Sequence, residues 1–562
     1  MTMPAATERH ELTEAPLLRG ASAAAVEQLR ASARETRLAA REWLFRAGEP
    51  SDKLFLVLSG RLRVVEPETG RLLREVGPGA ALGELGLLTG STRSASVRAV
   101  RDSRLLEVDA EHFLRLVRDD GGFAVSIAQE LARQLQASGG LAPPEASPSV
   151  FAVVAPDADP RVGDLQAFVA ELERALGRTG SVVRLDGSDL APEGYARALE
   201  DAEARASHVL LVEGGSGEWR DFCRRQSDRL LAVVHGAAPP DALTELEGCE
   251  LVLVDVPPVA VEPLLEAVAP RAHHVVPAGA GYAGGVARLA RRLTGRSLGV
   301  VLSGGGARGF AHVGALAALA EAGFDLDRVG GCSMGSFVAA MAAQGRDAEE
   351  MRERCEQEFV RRSPFNDYTL PRFSLIRSRK ATAMLERVFG DELVETLERP
   401  LFTVSADLLS SLVVVHRRGR IADAVGASMS IPGVSPPVVR AGRLLVDGGV
   451  LNNLPVDHMA ETAEGPVLAV DVIRRLEDLE DSRPALPSIA ETLARASVLG
   501  SVERAERNRA LALVLVTPEV QAIGLRDWSA LDRAVEAGRR ATTEALAGGG
   551  ADRLRAALDA PS

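Results

Sequence analysis

Hydrophobic residues in the first 135 positions form short runs that suit a β-rich fold. Positions 43–45, 53–58 and 61–65 are apolar or alternate with polar residues. Glycines separate these runs at nearly regular spacing, at Gly48, Gly60, Gly70, Gly77 and Gly79. This pattern predicts a small barrel or jelly roll. Residues Leu105 to Leu116 and Phe123 to Leu135 have helical spacing, which predicts helices that close over the barrel.

The middle of the chain alternates between strand-like and helix-like patterns. Apolar runs occur at 150–154, 182–185, 208–212, 230–234 and 251–254, and periodic stretches such as Leu165 to Leu176 lie between them. This alternation predicts a parallel α/β layer. Ala155-Pro156-Asp157 follows the first strand in place of a glycine-rich phosphate loop. We therefore interpret this region as a Rossmann-like module without nucleotide chemistry, with a bridging or scaffolding role.

Two glycine-rich turns follow apolar strands in the last third of the chain. The first turn is Gly304-Gly305-Gly306-Ala307-Arg308-Gly309, and the second is Gly331-Cys332-Ser333-Met334-Gly335. The second has the Gly-x-Ser-x-Gly form of a nucleophile elbow, in which a tight turn exposes the serine hydroxyl. The first can direct backbone N–H groups at a developing oxyanion. Together they predict a serine hydrolase.

Two nucleotide-binding interpretations of the first turn fit less well. A dinucleotide-binding turn is followed by an acidic residue about 20 positions later, whereas here the next strand leads to Ser333. A P-loop has Lys after its last glycine, and this turn has Phe310.

A serine hydroxyl needs a neighbouring base, and the usual base is histidine. Of nine histidines, only His416 and His458 follow Ser333 in the chain, and neither lies in a glycine-rich turn. Asp447 is a better candidate because it ends the apolar run 444–446 and precedes Gly448-Gly449.

These motifs resemble the patatin-like phospholipase family, in the family's order, over roughly residues 298 to 475. Residues 312–316, 430–433 and 452–455 also match its pattern. The resemblance implies an α/β hydrolase domain with a Ser-Asp dyad, in which Ser333 attacks an ester carbonyl and Asp447 accepts its proton. It implies an oxyanion turn of Gly304, Gly305, Gly306, Arg308 and Gly309, with the N–H groups of Gly305 and Gly306 as donors.

Some roles in this turn stay open. Arg308 either lends positive charge to the turn or a lipid head group, or has a structural surface role. His312 is interpreted as a packing residue. Aspartate is a weak base in water, so Asp447 is expected in a partly desolvated pocket.

A second constellation lies in the N-terminal region. Gly83-Glu84-Leu85 is followed by Arg93-Ser94, and this resembles the phosphate-binding cassette of cyclic nucleotide-binding domains. A carboxylate such as Glu84 can accept the ribose 2′-OH, and Arg93 can pair with the cyclic phosphate. The cassette departs from the usual pattern at 81–82 and at Gly86. The choice between cAMP and cGMP stays open, and a barrel that no longer binds nucleotide is the alternative.

The order of these regions resembles the neuropathy target esterase group, although this chain has one cyclic-nucleotide barrel where the animal proteins have several. No stretch approaches ~18 apolar residues, so a membrane span is not expected.

We predict a tail at 1–20, a cyclic nucleotide-binding domain at 21–136, a linker at 137–149, a Rossmann-like module at 150–296, a patatin-like core at 297–475 and a C-terminal segment at 476–562. Toward the C-terminus, the pattern predicts a solvated loop at 474–481, a strand at 511–516 that completes the sheet, and a last helix from Leu531.

Composition narrows the class of protein further. The net charge is −13 over 562 residues, which disfavours nucleic-acid binding and strong overall attraction to anionic lipid. The four cysteines have no metal-ligand spacing and suggest a reducing compartment, and no secretory signal is evident. We expect a cytoplasmic protein with peripheral membrane contact and no metal or cofactor for catalysis.

The leading hypothesis is therefore a serine esterase acting on phospholipid or lysophospholipid and regulated by cyclic nucleotide. A non-catalytic sensor or lipid-binding adaptor is the alternative, and a third possibility is an enzyme whose barrel is only structural. Head group, acyl length and oligomeric state stay open.

Overall fold

The computed structural model describes residues 16–67, 72–138, 150–155, 162–188, 190–214, 217–236, 246, 248–370, 372–473 and 489–559. The chain divides into two compact units. The first consists of Met1–Ala155, Gly180–Ala232 and Ser562, and the second of Pro156–Thr179 and Val233–Pro561. The predicted linker at 137–149 and the predicted loop at 474–481 lie almost wholly outside the described residues.

The first unit opens with a jelly-roll barrel and its helices. Two antiparallel four-stranded sheets have the orders β1-β8-β3-β6 and β2-β7-β4-β5. This confirms the predicted barrel. The strands are β1 Arg34–Leu38, β2 Trp43–Phe45, β3 Lys53–Ser59, β4 Leu62–Val65, β5 Leu72–Val76, β6 Ala81–Leu82, β7 Ser96–Ala99 and β8 Ser103–Asp109. The helices are α1 Ala23–Ser32, α2 Glu84–Thr89, α3 Ala110–Asp119 and α4 Gly121–Ser138.

One prediction for this barrel was wrong. The stretch from Leu105 to Leu116 is not one helix, because its first half belongs to β8. This strand pairs with both β1 and β3, and it buries Leu105 and Val108 in the barrel. A strand with two pairing partners gains ladder hydrogen bonds and apolar burial together, and tertiary pairing thus overrides the local helical spacing.

The middle of the chain alternates strands and helices as predicted. Its elements are β9 Val150–Val154, α5 Val162–Leu176, β10 Val182–Leu185, α6 Tyr195–Glu203, β11 His208–Val212, α7 Gly217–Gln226, β12 Arg229–His235, β13 Glu250–Val254, α8 Pro258–Val268, β14 Ala272–Val276 and α9 Tyr282–Leu293. In the first unit, β10, β11, β9 and β12 pair in parallel in that order. In the second unit, β13 pairs in parallel with β14, a strand that the sequence analysis missed.

A buried carboxylate connects the barrel to the α/β strands within the first unit. Asp228 precedes β12, and its side chain is fully buried. Its Oδ1 lies 3.0 Å from Arg61 Nε and 3.3 Å from Arg101 Nε, and its Oδ2 accepts the Val150 N–H at 3.1 Å. Burial disfavours the charge on Arg101, but the carboxylates of Asp228 and Glu203 outweigh it and raise its pKa.

We predict that Asp228→Asn destabilises the first unit by about 3–5 kcal/mol, because two buried guanidinium groups lose the carboxylate between them. Chemical denaturation of the full chain would measure this loss. The control is Asp119→Asn, a substitution at an exposed aspartate at the end of α3. Equal denaturation midpoints for the two variants would contradict the prediction.

The second unit is built on an eight-stranded sheet with the order β19-β20-β17-β16-β15-β21-β22, and β18 also pairs with β17. Its core strands β17, β16, β15, β21 and β22 are parallel, and β18, β19 and β20 are antiparallel. The strands are β15 Gly299–Leu302, β16 Arg328–Cys332, β17 Leu401–Asp407, β18 Val413–His416, β19 Val438–Arg440, β20 Arg443–Asp447, β21 Val467–Val470 and β22 Val514–Val516. The apolar run predicted at 511–516 thus does extend this sheet.

Ten helices accompany these strands within the described ranges. They are α10 Ala311–Glu321, α11 Met334–Ala343, α12 Ala348–Cys355, α13 Arg379–Phe389, α14 Ile421–Ser428, α15 Val456–Ala460, α16 Ile489–Val498, α17 Val502–Ala510, α18 Leu531–Ala545 and α19 Ala551–Asp559. All ten residues of α11 are buried, as expected for a helix that is apolar on every side. Among the helices of the described residues, none is both long and apolar enough to cross a bilayer.

Candidate active site

The nucleophile elbow lies between β16 and α11, both of which are buried. Ser333 has φ 52° and ψ −122°, which is a strained conformation for a residue with a side chain. A Cβ added at Gly331 would lie 2.6 Å from the carbonyl carbon of Gly335 and 2.8 Å from the Leu302 oxygen. The turn therefore needs glycine at both ends, and it presents Ser333 as a nucleophile elbow does.

Two serines hold the backbone of the nucleophile. The Ser333 N–H donates to Ser428 Oγ at 2.9 Å, and Ser336 Oγ donates to the Ser333 carbonyl at 2.6 Å. Ser428 ends α14, and the sequence analysis missed it. The sequence did contain a signal for Ser428. It is a polar residue at the end of an apolar helix, two positions before the Ser430-Ile431-Pro432-Gly433 motif.

Asp447 ends β20, and its carboxylate is directed toward the elbow. Its N–H donates to the Ser430 carbonyl at 2.8 Å. Its Oδ1 accepts the Gly449 N–H at 2.8 Å and lies 3.6 Å from Cys332 Sγ. A Cβ at Gly448 would clash with the Val404 backbone, and one at Gly449 would lie 2.9 Å from Asn453 Oδ1. Close packing therefore explains the absence of a side chain at both positions.

The electrostatics of Asp447 suit a base. Burial raises its pKa to about 6, although hydrogen bonds from the Ser333 hydroxyl, the Gly449 N–H and the Cys332 thiol each lower it. A carboxylate with this pKa is still ionised at neutral pH, and it accepts a proton more readily than an exposed aspartate does. The effect of the Ser333 side chain on this pKa indicates that the two residues of the predicted dyad are neighbours.

The first glycine-rich turn lies against the nucleophile. The Gly304 N–H donates to the Asn453 carbonyl at 3.2 Å, and Asn453 Nδ2 donates to the Gly304 carbonyl at 3.2 Å. A Cβ added at Gly304 would lie 3.1 Å from Ser333 Cβ. Among the described residues, the N–H groups of Gly305 and Gly306 have no hydrogen-bond acceptor. Both donors are therefore available for an oxyanion.

Arg308 and Gly309 stabilise this turn by other contacts. Arg308 Nε donates to the Ile523 carbonyl at 2.7 Å, and Nη2 donates to the Gln521 carbonyl at 3.2 Å. The guanidinium thus connects the turn to residues 521–523. A Cβ at Gly309 would lie 2.7 Å from Met334 Cβ, which explains the absence of a side chain there.

The buried histidines near these strands are neutral. His312 Nε2 donates to the Ser303 carbonyl at 2.8 Å, and burial lowers its pKa to about 4. His416 Nε2 lies 2.7 Å from Ser405 Oγ, and burial lowers its pKa to about 4 as well. Both histidines are thus engaged with other groups, whereas the Ser333 side chain lowers the pKa of Asp447, which favours aspartate as the base.

A polar network supports the segment after Asp447. Asn508, on α17, is buried, and its Nδ2 donates to Asn452 Oδ1 at 3.1 Å, to the Leu454 carbonyl at 2.8 Å and to Asp457 Oδ1 at 3.0 Å. The sequence analysis assigned no role to Asn508. A lone asparagine in a charged helical stretch gives no signal of burial.

A small cavity lies next to the backbone that supports Asp447. It has a volume of about 190 Å³, enough for several methylene groups. The Ser430 that accepts the Asp447 N–H is one of its lining residues. Most of the others are apolar: Phe365, Ala381, Met384, Leu385, Met429, Pro436, Pro437 and Val438.

In the first unit, the nucleotide-binding candidates gather around Arg93. The Arg93 Nη2 donates to the Lys53 carbonyl at 2.8 Å and Nη1 to the Gly83 carbonyl at 3.3 Å. Its guanidinium lies 4.2 Å from the centre of the Phe45 ring. Burial lowers the pKa of Arg93, and the charges of Asp52, Glu84 and Glu49 oppose that shift.

The other cassette residues differ in burial. Glu84 begins α2 and is buried, whereas Leu85 and Ser94 are exposed. The structure thus places a buried carboxylate and a buried guanidinium in one electrostatic site, as the cassette chemistry requires. Within the described ranges, no group of three or more His, Cys, Asp or Glu side chains is arranged to hold a metal ion.

Comparisons with known proteins match both regions of the chain that contain these candidate sites. A family profile described as patatin-like phospholipase matches residues 300–460, and one described as cyclic nucleotide-binding domain matches residues 35–120. An NTE family protein of Mycobacterium tuberculosis is 34% identical over 570 residues, and the match covers 96% of each chain. Patatin-like phospholipase domain-containing protein 6 of Homo sapiens is 31% identical over 506 residues, which is 76% of this chain and 37% of the human protein.

From the raised pKa of Asp447 we predict how the stability of the fold depends on pH. Its folded pKa of about 6 exceeds the ordinary 3.8, so the ionised carboxylate costs the fold about 3 kcal/mol above pH 6, and this cost disappears below pH 4. We predict that Asp447→Asn has a higher melting temperature than wild type at pH 8 and an equal one near pH 4.

Asp457→Asn is the matched control with the opposite sign. Burial raises the pKa of Asp457, but the charge of His458 and the Asn452 and Arg504 side chains outweigh it, so the net pKa is lowered. Its substitution should therefore lower the melting temperature at pH 8. An Asp447→Asn difference that does not change between pH 4 and pH 8 would contradict the prediction.

Proposed function

Because the chain belongs to the NTE family and carries a patatin-like phospholipase domain and a cyclic nucleotide-binding domain, we propose that it is a serine esterase of phospholipids or lysophospholipids, regulated by cyclic nucleotide. The observation that carries this proposal is the desolvated Asp447 carboxylate, whose raised pKa responds to the side chain of Ser333 on a strained elbow. A serine on such an elbow next to a carboxylate of raised pKa supports a nucleophile with its own base.

The chemistry proceeds in two halves. Ser333 Oγ attacks the ester carbonyl and passes its proton to Asp447, while the N–H groups of Gly305 and Gly306 stabilise the oxyanion. Collapse of the tetrahedral intermediate releases the alcohol, which takes the proton from Asp447, and leaves an acyl-enzyme. Water then attacks this ester, again giving a proton to Asp447. Release of the fatty acid regenerates the Ser333 hydroxyl.

The surroundings of the dyad suit a lipid. The cavity beside Ser430 has a mostly apolar lining and can receive methylene groups of an acyl chain. Peripheral contact with a membrane belongs to this proposal, because phospholipid and lysophospholipid reside in membranes or micelles.

Regulation is assigned to the N-terminal domain. Cyclic nucleotide would contact Arg93 through its phosphate and Glu84 through its ribose. Arg93 donates to the Lys53 and Gly83 carbonyls, so a bound phosphate would compete for this guanidinium and alter those contacts. Nucleotide then shifts the population of states that differ in catalytic competence.

A non-catalytic sensor or lipid-binding adaptor is the second candidate. Such a protein has no need to retain both a strained Ser333 and a buried carboxylate of raised pKa near it, since each costs stability. The intact dyad therefore favours the esterase.

We predict that Ser333→Ala lowers hydrolysis of a p-nitrophenyl acyl ester and of a lysophospholipid by at least about 10³-fold, because no nucleophile remains. Release of p-nitrophenol and of free fatty acid measures the two reactions. Ser529→Ala, at an exposed serine, is the control and should match wild type. Absence of activity in the wild type would favour the sensor.

For the N-terminal domain, we predict that Arg93→Ala weakens binding of cyclic nucleotide by at least about tenfold, since a charge-assisted contact to phosphate is lost. Calorimetric titration with cAMP and with cGMP measures binding and tells the two apart. Arg98→Ala, at an exposed arginine on β7, is the control.

Hydrolysis by the wild type is then followed with and without the nucleotide that binds. Binding with a change in rate supports regulation. Equal rates with and without nucleotide, together with no binding, would leave the barrel as a structural element.

A further inference from the structure

The segment of residues 367–370 and 372–378, here called the rim loop, folds back on itself beside the candidate active site. Tyr368 pairs with Ile376 in an isolated antiparallel bridge. The Thr369 N–H donates to the Leu375 carbonyl and the Arg377 N–H to the Asp367 carbonyl, both at 3.0 Å. The rim loop is thus a small hairpin-like projection with a hydrogen-bonded stem.

One side of the stem is attached next to the base. The Leu375 N–H donates to the Gly433 carbonyl at 2.9 Å, and the Ile376 N–H donates to the Val434 carbonyl at 3.0 Å. Gly433 and Val434 follow Ser430 closely in the chain, and the Ser430 carbonyl accepts the Asp447 N–H.

The other side is attached next to the oxyanion turn. Arg526 Nη2 donates to the Tyr368 hydroxyl at 2.9 Å. Its neighbour Leu525 accepts the Ala307 N–H at 2.9 Å. The rim loop therefore contacts the supports of both the base and the oxyanion donors, which places it at the rim of the dyad.

The rim loop presents large apolar side chains to water. Leu370 is 89% exposed and Phe373 is 74% exposed. Leu409 and Leu412, in the turn between β17 and β18, and Val439 on β19 are also exposed. Of these strands, β17 and β19 pair with β20, which carries Asp447. Exposed apolar residues on the rim loop and on elements next to β20 indicate a surface that another apolar phase covers.

The charge of this segment is opposite to that of the whole protein. Residues 367–380 contain Arg372, Arg377, Arg379 and Lys380 but one carboxylate, Asp367, whereas the net charge of the chain is −13. The Arg372 guanidinium lies 5.1 Å from the centre of the Phe373 ring. Apolar tips with cations around them match the acyl and phosphate layers of an anionic bilayer.

We propose that the rim loop docks on the surface of a membrane that contains anionic phospholipid. Leu370 and Phe373 enter the interface between head groups and acyl chains. Arg372 and Arg377 of the rim loop, and Arg379 and Lys380 at the start of the following helix, contact phosphates. This inference rests on the proposed esterase function for its purpose, which is to bring a bilayer ester to Ser333. Overall charge disfavours attraction to such a membrane, but the rim loop reverses the charge locally, at the site where contact is needed.

Sedimentation of the full chain with vesicles of phosphatidylcholine and phosphatidylglycerol tests this proposal. We expect the double variant Leu370→Ser/Phe373→Ser to bind about tenfold less than wild type, because two exposed apolar side chains no longer enter the interface. Val259→Ser is the matched control. Val259 is 84% exposed on α8, and its variant should bind like wild type.

Charge is tested separately. The double variant Arg372→Gln/Arg379→Gln should bind vesicles that contain phosphatidylglycerol less tightly than wild type does, and added salt should weaken wild-type binding to the same vesicles. Binding to vesicles of phosphatidylcholine alone should not change. Equal binding by the wild type and the Leu370→Ser/Phe373→Ser variant would overturn the proposal, as would an equal loss in Val259→Ser or no vesicle binding by wild type.

The Ser333→Ala variant distinguishes docking from catalysis. It should bind vesicles as the wild type does, because docking needs no nucleophile. Vesicle binding that depends on Leu370 and Phe373 in a wild type without hydrolytic activity would refute the esterase and leave the docking surface in place. Hydrolysis of a soluble ester with no vesicle binding would support the esterase and refute the docking surface.

Discussion

The candidate site depends on the burial of one carboxylate. Asp447 is enclosed at the end of β20, and three hydrogen bonds from Ser333, Gly449 and Cys332 oppose the effect of that burial on its pKa. Deeper burial without these donors would raise the pKa of Asp447 further, so that it would be protonated at neutral pH. Exposure would lower the pKa and make the carboxylate too weak a base to accept the serine proton. The surrounding features keep the carboxylate between these limits, since glycines at 448 and 449 allow the backbone to pass close to β17 and to Asn453.

The elbow and the glycine-rich turn are constrained by the same packing. The carbonyls of Leu302 and Ser303 lie close to Gly331 and Gly335. Asn453 donates a hydrogen bond to the carbonyl of Gly304, which lies next to Ser333. Because β15 and β16 are parallel neighbours, their carboxyl ends bring the two turns together at one edge of the sheet. The strained φ of Ser333 is thus held by backbone packing on both sides of the turn.

Much of this arrangement could be predicted from the sequence, because local chemistry specifies it. The glycines around Ser333 and after Asp447 mark backbone that no side chain can approach, and the apolar runs before them mark buried strands. Ser428 and Asn508 could not be predicted, because their roles arise from contacts 95 and 56 residues away along the chain. The strand at Ser103–Asp109 was mistaken for helix for the same reason: its pairing with β1 and β3 is not local.

The ion pairs of Arg61 and Arg101 with Asp228 determine where a fragment that contains the barrel can end. Both arginines come from turns of the barrel, but the carboxylate between them comes from the residue before β12, far beyond the last strand of that barrel. An expression boundary placed at the linker predicted from composition, 137–149, would remove the anion and leave two guanidinium groups at a newly exposed surface. A fragment that ends after β12 retains it, so the smallest unit with intact electrostatics is longer than the barrel itself.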